Sequence, residues 1–282
     1  MLGEGPVWDG PRGRLLWVDI LVGAVFSGTI HGGVVVDRRW SFDEPVGAVL
    51  PAEDGGLVVV GQRHLYRIDA AGDVAGSIRV LADELASRLN DAACDPAGRL
   101  LVGSLRQDGR VGQEELVSVD HDGVVRTLAT GISVSNGIGF SPDGTCVYHV
   151  DSVPGRVSAF DYDVTRGTCG GPRTVWQGDG IPDGLCVDVE GNLWIAYFGE
   201  GQVRCLSPDG DLLAIVDVPV PNVTCAAFVG ADLDRLLITT ARYKLTDQQL
   251  TEWPDSGEFY LADVGVAGLP AIPWAGSTRI GP

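Results

Sequence analysis

Short apolar runs separated by Gly, Pro and Asp turns fill this chain, and long segments with a 3.6-residue period are nearly absent. One stretch shows the pattern clearly: GIGF, a turn at 141–144, TCVYHVDS, a turn near 154–155, then RVSAFDYD and PRTVWQ. Runs of this length, bounded by turn residues, are typical of β-strands. The stretch therefore predicts a unit of four strands. The segment VLADELASRL (80–89) differs from the rest and predicts a short turn of helix.

The four-strand unit recurs along the chain with a period of about 45 residues. Its first apolar runs begin near Gly5, Gly47, Asp91, Gly137, Gly184 and Cys225. Six units of this size predict an all-β, six-bladed β-propeller with four antiparallel strands per blade. No linker interrupts the pattern, so we expect a single domain over residues 1–282. Closure of the ring is assigned either to the segment after Trp274 or to residues upstream of Met1.

Side-chain oxygens recur at one phase of this repeat. In a propeller, the residue before each inner strand lies at one end of the central channel. The six equivalent positions are Glu4, Val46, Asn90, Asn136, Asp183 and Thr224. Carboxylates and amide carbonyls form a hard donor set that suits Ca²⁺, Mg²⁺ or Mn²⁺ and tolerates Zn²⁺. We therefore expect a cation site at the channel end, with the flank at Val46 and Thr224 open to substrate.

The alternative interpretation is that Asn and Asp simply favour turns. It applies most directly to Asp183, because Pro182-Asp183-Gly184 matches the ordinary turn at 142–144. Position in the repeat separates the two tripeptides, since Asp183 precedes an inner strand whereas the other turn follows one. This difference favours a ligand role for Asp183.

Composition narrows the class of partner. The net charge of −18 argues against nucleic acid or an anionic membrane, and an anionic substrate would need a local cation. The six cysteines contain no C-x-x-C pair, and no apolar run approaches the ~20 residues that span a bilayer. We expect a cytoplasmic protein with buried free thiols, a small-molecule substrate, and a monomeric or small homo-oligomeric state.

Other catalytic signals are missing from the sequence. There is no Gly-x-Ser-x-Gly elbow, which argues against a serine esterase. The four histidines have no metal-ligand spacing, and we interpret His149 in a second strand as a packed or surface side chain.

The motifs LGEGPVWD, SRLNDAACDPAGRLLVGS, SVSNGIGFSPDG and IPDGLCVDVEGNLWIAYF occur in this order along the chain. Together they resemble the SMP-30/gluconolactonase/LRE family, whose members include regucalcin and bacterial sugar lactonases. The resemblance implies a six-bladed propeller with one divalent metal ion at its centre, Ca²⁺ or Zn²⁺, with Mg²⁺ and Mn²⁺ as alternatives.

The resemblance also assigns residues. The metal-ligand motifs of the family fall on Glu4, Asn136 and Asp183, and Asp183 is implied to act as proton acceptor as well. The Arg-x-Asn-Asp segment that contacts substrate in the family falls on Arg88, Asn90 and Asp91. The alternative interpretation of Arg88 is an exposed charge at the end of a helix, and that of Asn90 is a turn residue.

The loop after Ser104 departs from the family, because Leu105-Arg106-Gln107-Asp108 stands where a Met often follows. We include Asp108 among the predicted substrate contacts, and the divergence leaves the substrate open.

Three hypotheses follow from the predicted site. The first is a metal-dependent hydrolase of lactones, most simply of sugar acids, in which the metal polarises the carbonyl and activates a water, and Asp183 is the base. The second is hydrolysis of another ester, such as an organophosphate, at the same centre. The third is a non-catalytic propeller that binds a metal or ligand.

Overall fold

The computed structural model describes residues 1–83 and 86–276. Their strands form six antiparallel sheets, in each of which consecutive strands are neighbours. The first sheet contains β1 (Gly3–Asp9), β2 (Arg14–Asp19), β3 (Ala24–Ile30) and β4 (Val34–Ser41). The second contains β5 (Ala48–Pro51), β6 (Leu57–Val60), β7 (His64–Ile68) and β8 (Val74–Arg79). The third contains β9 (Ser87–Cys94), β10 (Leu100–Arg106), β11 (Glu114–Val119) and β12 (Val125–Ile132).

The second half of the chain repeats the arrangement. The fourth sheet contains β13 (Ser135–Phe140), β14 (Cys146–Asp151), β15 (Arg156–Asp163) and β16 (Thr168–Gln177). The fifth contains β17 (Pro182–Val187), β18 (Leu193–Tyr197), β19 (Gln202–Leu206) and β20 (Leu212–Asp217). The sixth contains β21 (Val223–Val229), β22 (Arg235–Thr240) and β23 (Tyr260–Asp263). A 3-10 turn (Gly10–Arg12) and one α-helix, α1 (Asp247–Glu252), complete the described elements.

The six sheets are the blades of a propeller. The first strand of each sheet contacts the first strands of both neighbouring sheets, and β1 contacts β21, so the inner strands form a closed ring around a central channel. The predicted six-bladed β-propeller is confirmed. Among the described residues the sixth blade has three strands, and the other five have four each.

Burial follows from stacking of the blades face to face. The middle strand β18 (Leu193–Tyr197) is buried at every position because both of its faces pack against neighbouring blades. The outer strand β20 (Leu212–Asp217) of the same blade is almost entirely exposed. This explains why the second strands read as continuous apolar runs rather than as an alternation. No helix in the described ranges is long and apolar enough to cross a membrane.

Ring closure takes place near the start of the chain. Leu2 forms a β-bridge with Ala241 after β22, and the Arg242 N–H donates to the Met1 carbonyl at 3.2 Å. Closure within the described ranges therefore joins β1 to the sixth blade. Of the segment after Trp274, residues 277–282 lie outside the described part of the chain.

The predicted turn of helix over 80–89 is wrong where the structure describes it. Residues 87–89 already belong to β9, which continues into the inner part of the third blade. Pairing with β10 overrides the local helical pattern there. Residues 84 and 85 lie outside the described ranges.

Candidate active site

Three of the predicted site residues lie at irregularities in inner strands. The register of β1 against β2 shifts between Glu4 and Val7, and that of β13 against β14 shifts just after Asn136. The register of β17 against β18 shifts around Asp183, between Pro182 and Leu185. A β-bulge interrupts the alternation of side chains and re-aims a residue, and bulges are common beside active sites. All three bulges lie at the end of the channel where the inner strands begin, here called the entrance end.

Glycines after the site residues allow the inner strands to approach closely. A Cβ atom on Gly137 would lie 2.8 Å from the Asp183 carbonyl oxygen, and one on Gly184 would lie 2.2 Å from Cys225 Sγ. Both distances are too short for any other residue. The glycines of the S-N-G and P-D-G motifs thus bring the fourth, fifth and sixth blades together beside the site.

The amide of Asn136 is held in one orientation. Its Nδ2 donates to Ser152 Oγ at 2.7 Å, and that hydroxyl donates in turn to the Pro182 carbonyl at 2.6 Å. Asn136 Oδ1 accepts a hydrogen bond from Asn90 Nδ2 at 2.5 Å. Because a carbonyl oxygen has two lone pairs, Oδ1 retains one for a cation. Ser152 therefore links Asn136, a predicted ligand in the fourth blade, to the backbone that precedes Asp183.

Asn90 and Arg88 lie next to Asn136. Asn90 is buried and also donates to the Ser135 carbonyl at 2.8 Å. Arg88 Nη1 donates to Asn90 Oδ1 at 2.7 Å and to the Leu89 carbonyl at 3.0 Å. The structure thus places these two predicted substrate contacts beside a predicted ligand, and Arg88 remains partly exposed.

Three carboxyl groups share this end of the channel. Burial, together with Asp183 and Asp91, holds the pKa of Glu4 well above its ordinary value. Burial and the charge of Asp91 raise the pKa of Asp183 in the same way, and burial raises the pKa of Asp91 to about 6. Arg88 is the cation that acts on Glu4 and Asp183 in the opposite direction. Such mutual repulsion is what a bound cation would relieve.

The residues present fit a divalent metal ion. Glu4 and Asp183 contribute carboxylate oxygens, and the fixed Asn136 amide contributes a carbonyl oxygen, all of them hard donors. No group of three His, Cys, Asp or Glu side chains in the described ranges is arranged to hold a metal ion. In the predicted set, the amide of Asn136 would be the third donor beside the two carboxylates.

Val46 and Thr224, the remaining ring positions, are fully buried, so the expected opening to substrate does not lie at these two side chains. The Thr224 hydroxyl donates to the Gly3 carbonyl at 2.6 Å, which attaches the sixth blade to the backbone beside Glu4. Thr224 thus positions the strand that carries Glu4.

Asp108 lies in the exposed loop after β10. Its carboxylate accepts hydrogen bonds from Arg106 Nε at 2.8 Å and forms an ion pair with Arg110 at 3.1 Å. The hydrogen bond from Arg106 holds the pKa of Asp108 far below its ordinary value. Within the described part of the chain, the Asp108 carboxylate bonds to these arginines and to none of the other predicted site residues, so its substrate contact stays a prediction.

Sequence reasoning missed the residues that support Asn136. Ser135 Oγ lies 2.7 Å from His149 Nε2, and both side chains are buried. Of the two positions expected for His149, packed or surface, the structure shows the packed one. A signal was available for Ser135, which precedes Asn136 in the S-N-G motif. Ser152 follows a second strand and adjoins no predicted site position, so the sequence contains no comparable signal for it.

A cavity of about 380 Å³ lies beyond the site, further along the channel. It is lined mainly by apolar residues of the inner strands. Of the three site residues that carry carboxyl groups, Asp91 lines the cavity, whereas Glu4 and Asp183 do not. The cavity is thus separate from the side on which Arg88 and Asn90 meet Asn136.

The chain is similar to known proteins over nearly its whole length. A family model described as the SMP-30/Gluconolactonase/LRE-like region matches residues 2–242. The chain is 34% identical over 288 residues to 6-deoxy-6-sulfogluconolactonase of Pseudomonas putida, covering 98% of this chain and 96% of that protein. It is 33% identical over 285 residues to regucalcin of Oryctolagus cuniculus, covering 97% and 95%. A solved structure of regucalcin from Agrobacterium tumefaciens, described as a calcium-binding protein, superposes with a TM-score of 0.89 at 30% identity, covering 97% of this chain and 93% of that one.

Proposed function

Because the chain belongs to the SMP-30/gluconolactonase/LRE-like family, we propose that it is a divalent-metal-dependent hydrolase that opens the lactone ring of a sugar acid. One observation carries the proposal: Glu4, Asn136 and Asp183 come from three different blades, and bulges place all three at the entrance end. The name of the Pseudomonas relative, a gluconolactonase, supports the substrate class.

We propose Ca²⁺ as the first candidate for the metal ion, with Zn²⁺, Mg²⁺ and Mn²⁺ as alternatives. The all-oxygen donor set favours a hard cation, and the Agrobacterium relative is described as calcium-binding. When bound, the ion supplies Lewis-acid polarisation of the lactone carbonyl and makes water more acidic.

Asp183 is the proposed proton acceptor. Its carboxylate lies at the bulge that begins β17, beside the other predicted ligands. In that position it takes the proton of the attacking water and so prepares the nucleophile for the carbonyl carbon. The surrounding burial excludes bulk water from the carboxylate and keeps the proton transfer local.

Arg88 and Asn90 orient the substrate in this proposal. Nη1 of Arg88 is held by Leu89 and Asn90, which leaves Nε and Nη2 for oxygens of the substrate. A guanidinium suits both the hydroxyl groups of the lactone and the carboxylate formed when the ring opens. Asp108, in the exposed loop after β10, is proposed as a further substrate contact on the basis of its position in the sequence.

The proposed compartment is the cytoplasm. All six cysteines are unpaired. This is the state expected in a reducing compartment.

Chelation and substitution of Asp183 test the function. We expect a chelator to abolish hydrolysis of glucono-γ-lactone and one divalent cation to restore it, as followed by acid release. Asp183→Asn, which removes a ligand and the base together, should lower kcat by at least about 10² to 10⁴-fold. Asp143→Asn is the matched control, because it changes the same Pro-Asp-Gly tripeptide in an exposed turn. It should retain wild-type activity.

Two results would contradict the proposal. Hydrolysis that survives both chelation and Asp183→Asn would exclude the metal mechanism. Cleavage of an organophosphate or another ester, with no hydrolysis of any sugar lactone, would leave the proposed metal site standing but would show that sugar lactones are not the substrates.

A further inference from the structure

Lys244 is the single lysine of this acidic sequence. Its backbone adopts a left-handed conformation, with φ of 64°. A residue with a Cβ atom is disfavoured in this region, and such strain persists where the surrounding structure holds it, often at functional sites. Both features single out Lys244 and raise the question of what it contacts.

The backbone before Lys244 borders the strand that carries Glu4. Ala241 forms a β-bridge with Leu2, and the Arg242 N–H donates to the Met1 carbonyl. The Tyr243 carbonyl then accepts a hydrogen bond from Asn222 Nδ2 at 2.8 Å. These contacts hold residues 241–243 against the start of β1, so Lys244 emerges at the entrance end.

Tyr243 connects Lys244 to Arg88. Lys244 Nζ lies 5.3 Å from the centroid of the Tyr243 ring, which is 39% exposed. Burial lowers the pKa of Arg88 to about 10, and Glu4 and Tyr243 act on it in the opposite direction. Tyr243 thus lies beside Lys244 and close enough to Arg88 to influence its pKa.

Neither cation is neutralised by an ion pair. Within the described ranges, Arg88 and Lys244 have no carboxylate oxygen within 4.0 Å, although most of the other arginines do. This holds for Lys244 even though Asp247, in α1, follows three residues later. In a chain of net charge −18, unpaired cations beside the site are the local positive charge that an anionic ligand requires.

We propose that Lys244 is a specificity-determining residue that, together with Arg88, binds an anionic substituent of the lactone, a carboxylate or a sulfonate remote from the reacting carbonyl. The inference rests on the proposed lactonase function. Lys244 attracts a substituent that the overall charge of the protein would otherwise repel. Tyr243 keeps the ammonium group over its ring and facing the entrance.

A matched pair of lactones tests this role. Glucono-γ-lactone and glucaro-γ-lactone share a ring and differ in a terminal carboxylate, so the ratio of their kcat/KM values measures recognition of that anion. Lys244→Gln should lower the ratio of anionic to neutral lactone by about tenfold, chiefly through KM for the anionic lactone. Lys244→Arg should preserve most of the ratio because it keeps the positive charge.

Arg173→Gln is the control for overall charge. It removes one positive charge from an exposed position in the outer strand β16 and should leave the ratio as in wild type. A ratio unchanged by Lys244→Gln, or lowered equally by Arg173→Gln, overturns the inference while the lactonase function stands. If the wild-type protein hydrolyses neither these two lactones nor any other sugar lactone, the lactonase function fails and this inference fails with it.

Discussion

His149 is a buried ionisable side chain whose neutral form the fold requires. It lies in β14 at 3% exposure, and burial, with the charge of Arg156, lowers its pKa to about 4. In the unfolded chain the pKa of this histidine has its ordinary value of ~6.5, so as the pH falls the unfolded chain is protonated at a higher pH than the folded protein. The folded state is therefore fully stabilised by neutral His149 above pH ~6.5 and loses that stabilisation below it. We expect about 2 kcal/mol of it to be lost between pH ~7 and ~5.

Urea unfolding at the two pH values measures this loss. His149→Gln keeps a polar side chain opposite Ser135, but the glutamine does not titrate. The decrease in the free energy of unfolding from pH ~7 to ~5 should therefore be about 2 kcal/mol smaller in this variant than in wild type. His31→Gln, in an exposed turn, serves as the control and should behave as wild type. Equal drops in all three proteins would show that His149 does not govern the acid response.

The segment after β23 is an irregular element that contacts four blades. Its Ala267 carbonyl accepts a hydrogen bond from the Val189 N–H of the fifth blade. Its Gly268 N–H donates to the Leu233 carbonyl of the sixth blade, and its Trp274 N–H donates to the Pro51 carbonyl of the second. The Ala275 N–H donates to the Gly98 carbonyl of the third blade. Trp274 is 1% exposed and packs in the core between the second and third blades.

Removal of the Trp274 side chain should destabilise the packing between the second and third blades. We expect Trp274→Ala to lower the free energy of unfolding by about 3–5 kcal/mol, because it leaves a large cavity in the core. Ile272→Ala, two residues earlier and 37% exposed, should change it by no more than about 0.5 kcal/mol. Denaturant midpoints of the two variants give the comparison, and similar losses in both would contradict the packing role.

These elements show which structure the sequence could reveal. The blades were predictable because each strand run and its turn signals are local and recur six times. The contact of Trp274 with Pro51 has no repeat and joins distant parts of the chain, so no local pattern indicates it. At the site, the predicted ligands share one phase of the repeat, which the sequence shows. The orientation of Asn136 depends on Ser152, whose hydroxyl is held by the Pro182 carbonyl of the next blade, a contact that no local pattern indicates.

At the scale of the whole molecule, the proposed metal ion connects blades that are far apart in sequence. Glu4 belongs to the first blade, Asn136 to the fourth and Asp183 to the fifth, so the unfolded chain does not hold them together. A ligand that binds only the folded state stabilises it by RT ln(1 + [L]/Kd), about 2.7 kcal/mol at a hundredfold excess over Kd. For a chain of this size we expect Ca²⁺ to raise Tm by about 5 °C.

Thermal unfolding with and without Ca²⁺ tests this coupling independently of activity. Glu4→Gln removes one of the proposed ligands and one of the repelling carboxyl groups. The metal-dependent rise in Tm should therefore disappear, while the Tm of the metal-free protein does not fall. Asp143→Asn keeps all three ligands and should retain the full rise. A rise in Glu4→Gln equal to that of wild type would place the cation elsewhere on this acidic protein and remove the support that the ring of ligands gives to the proposed mechanism.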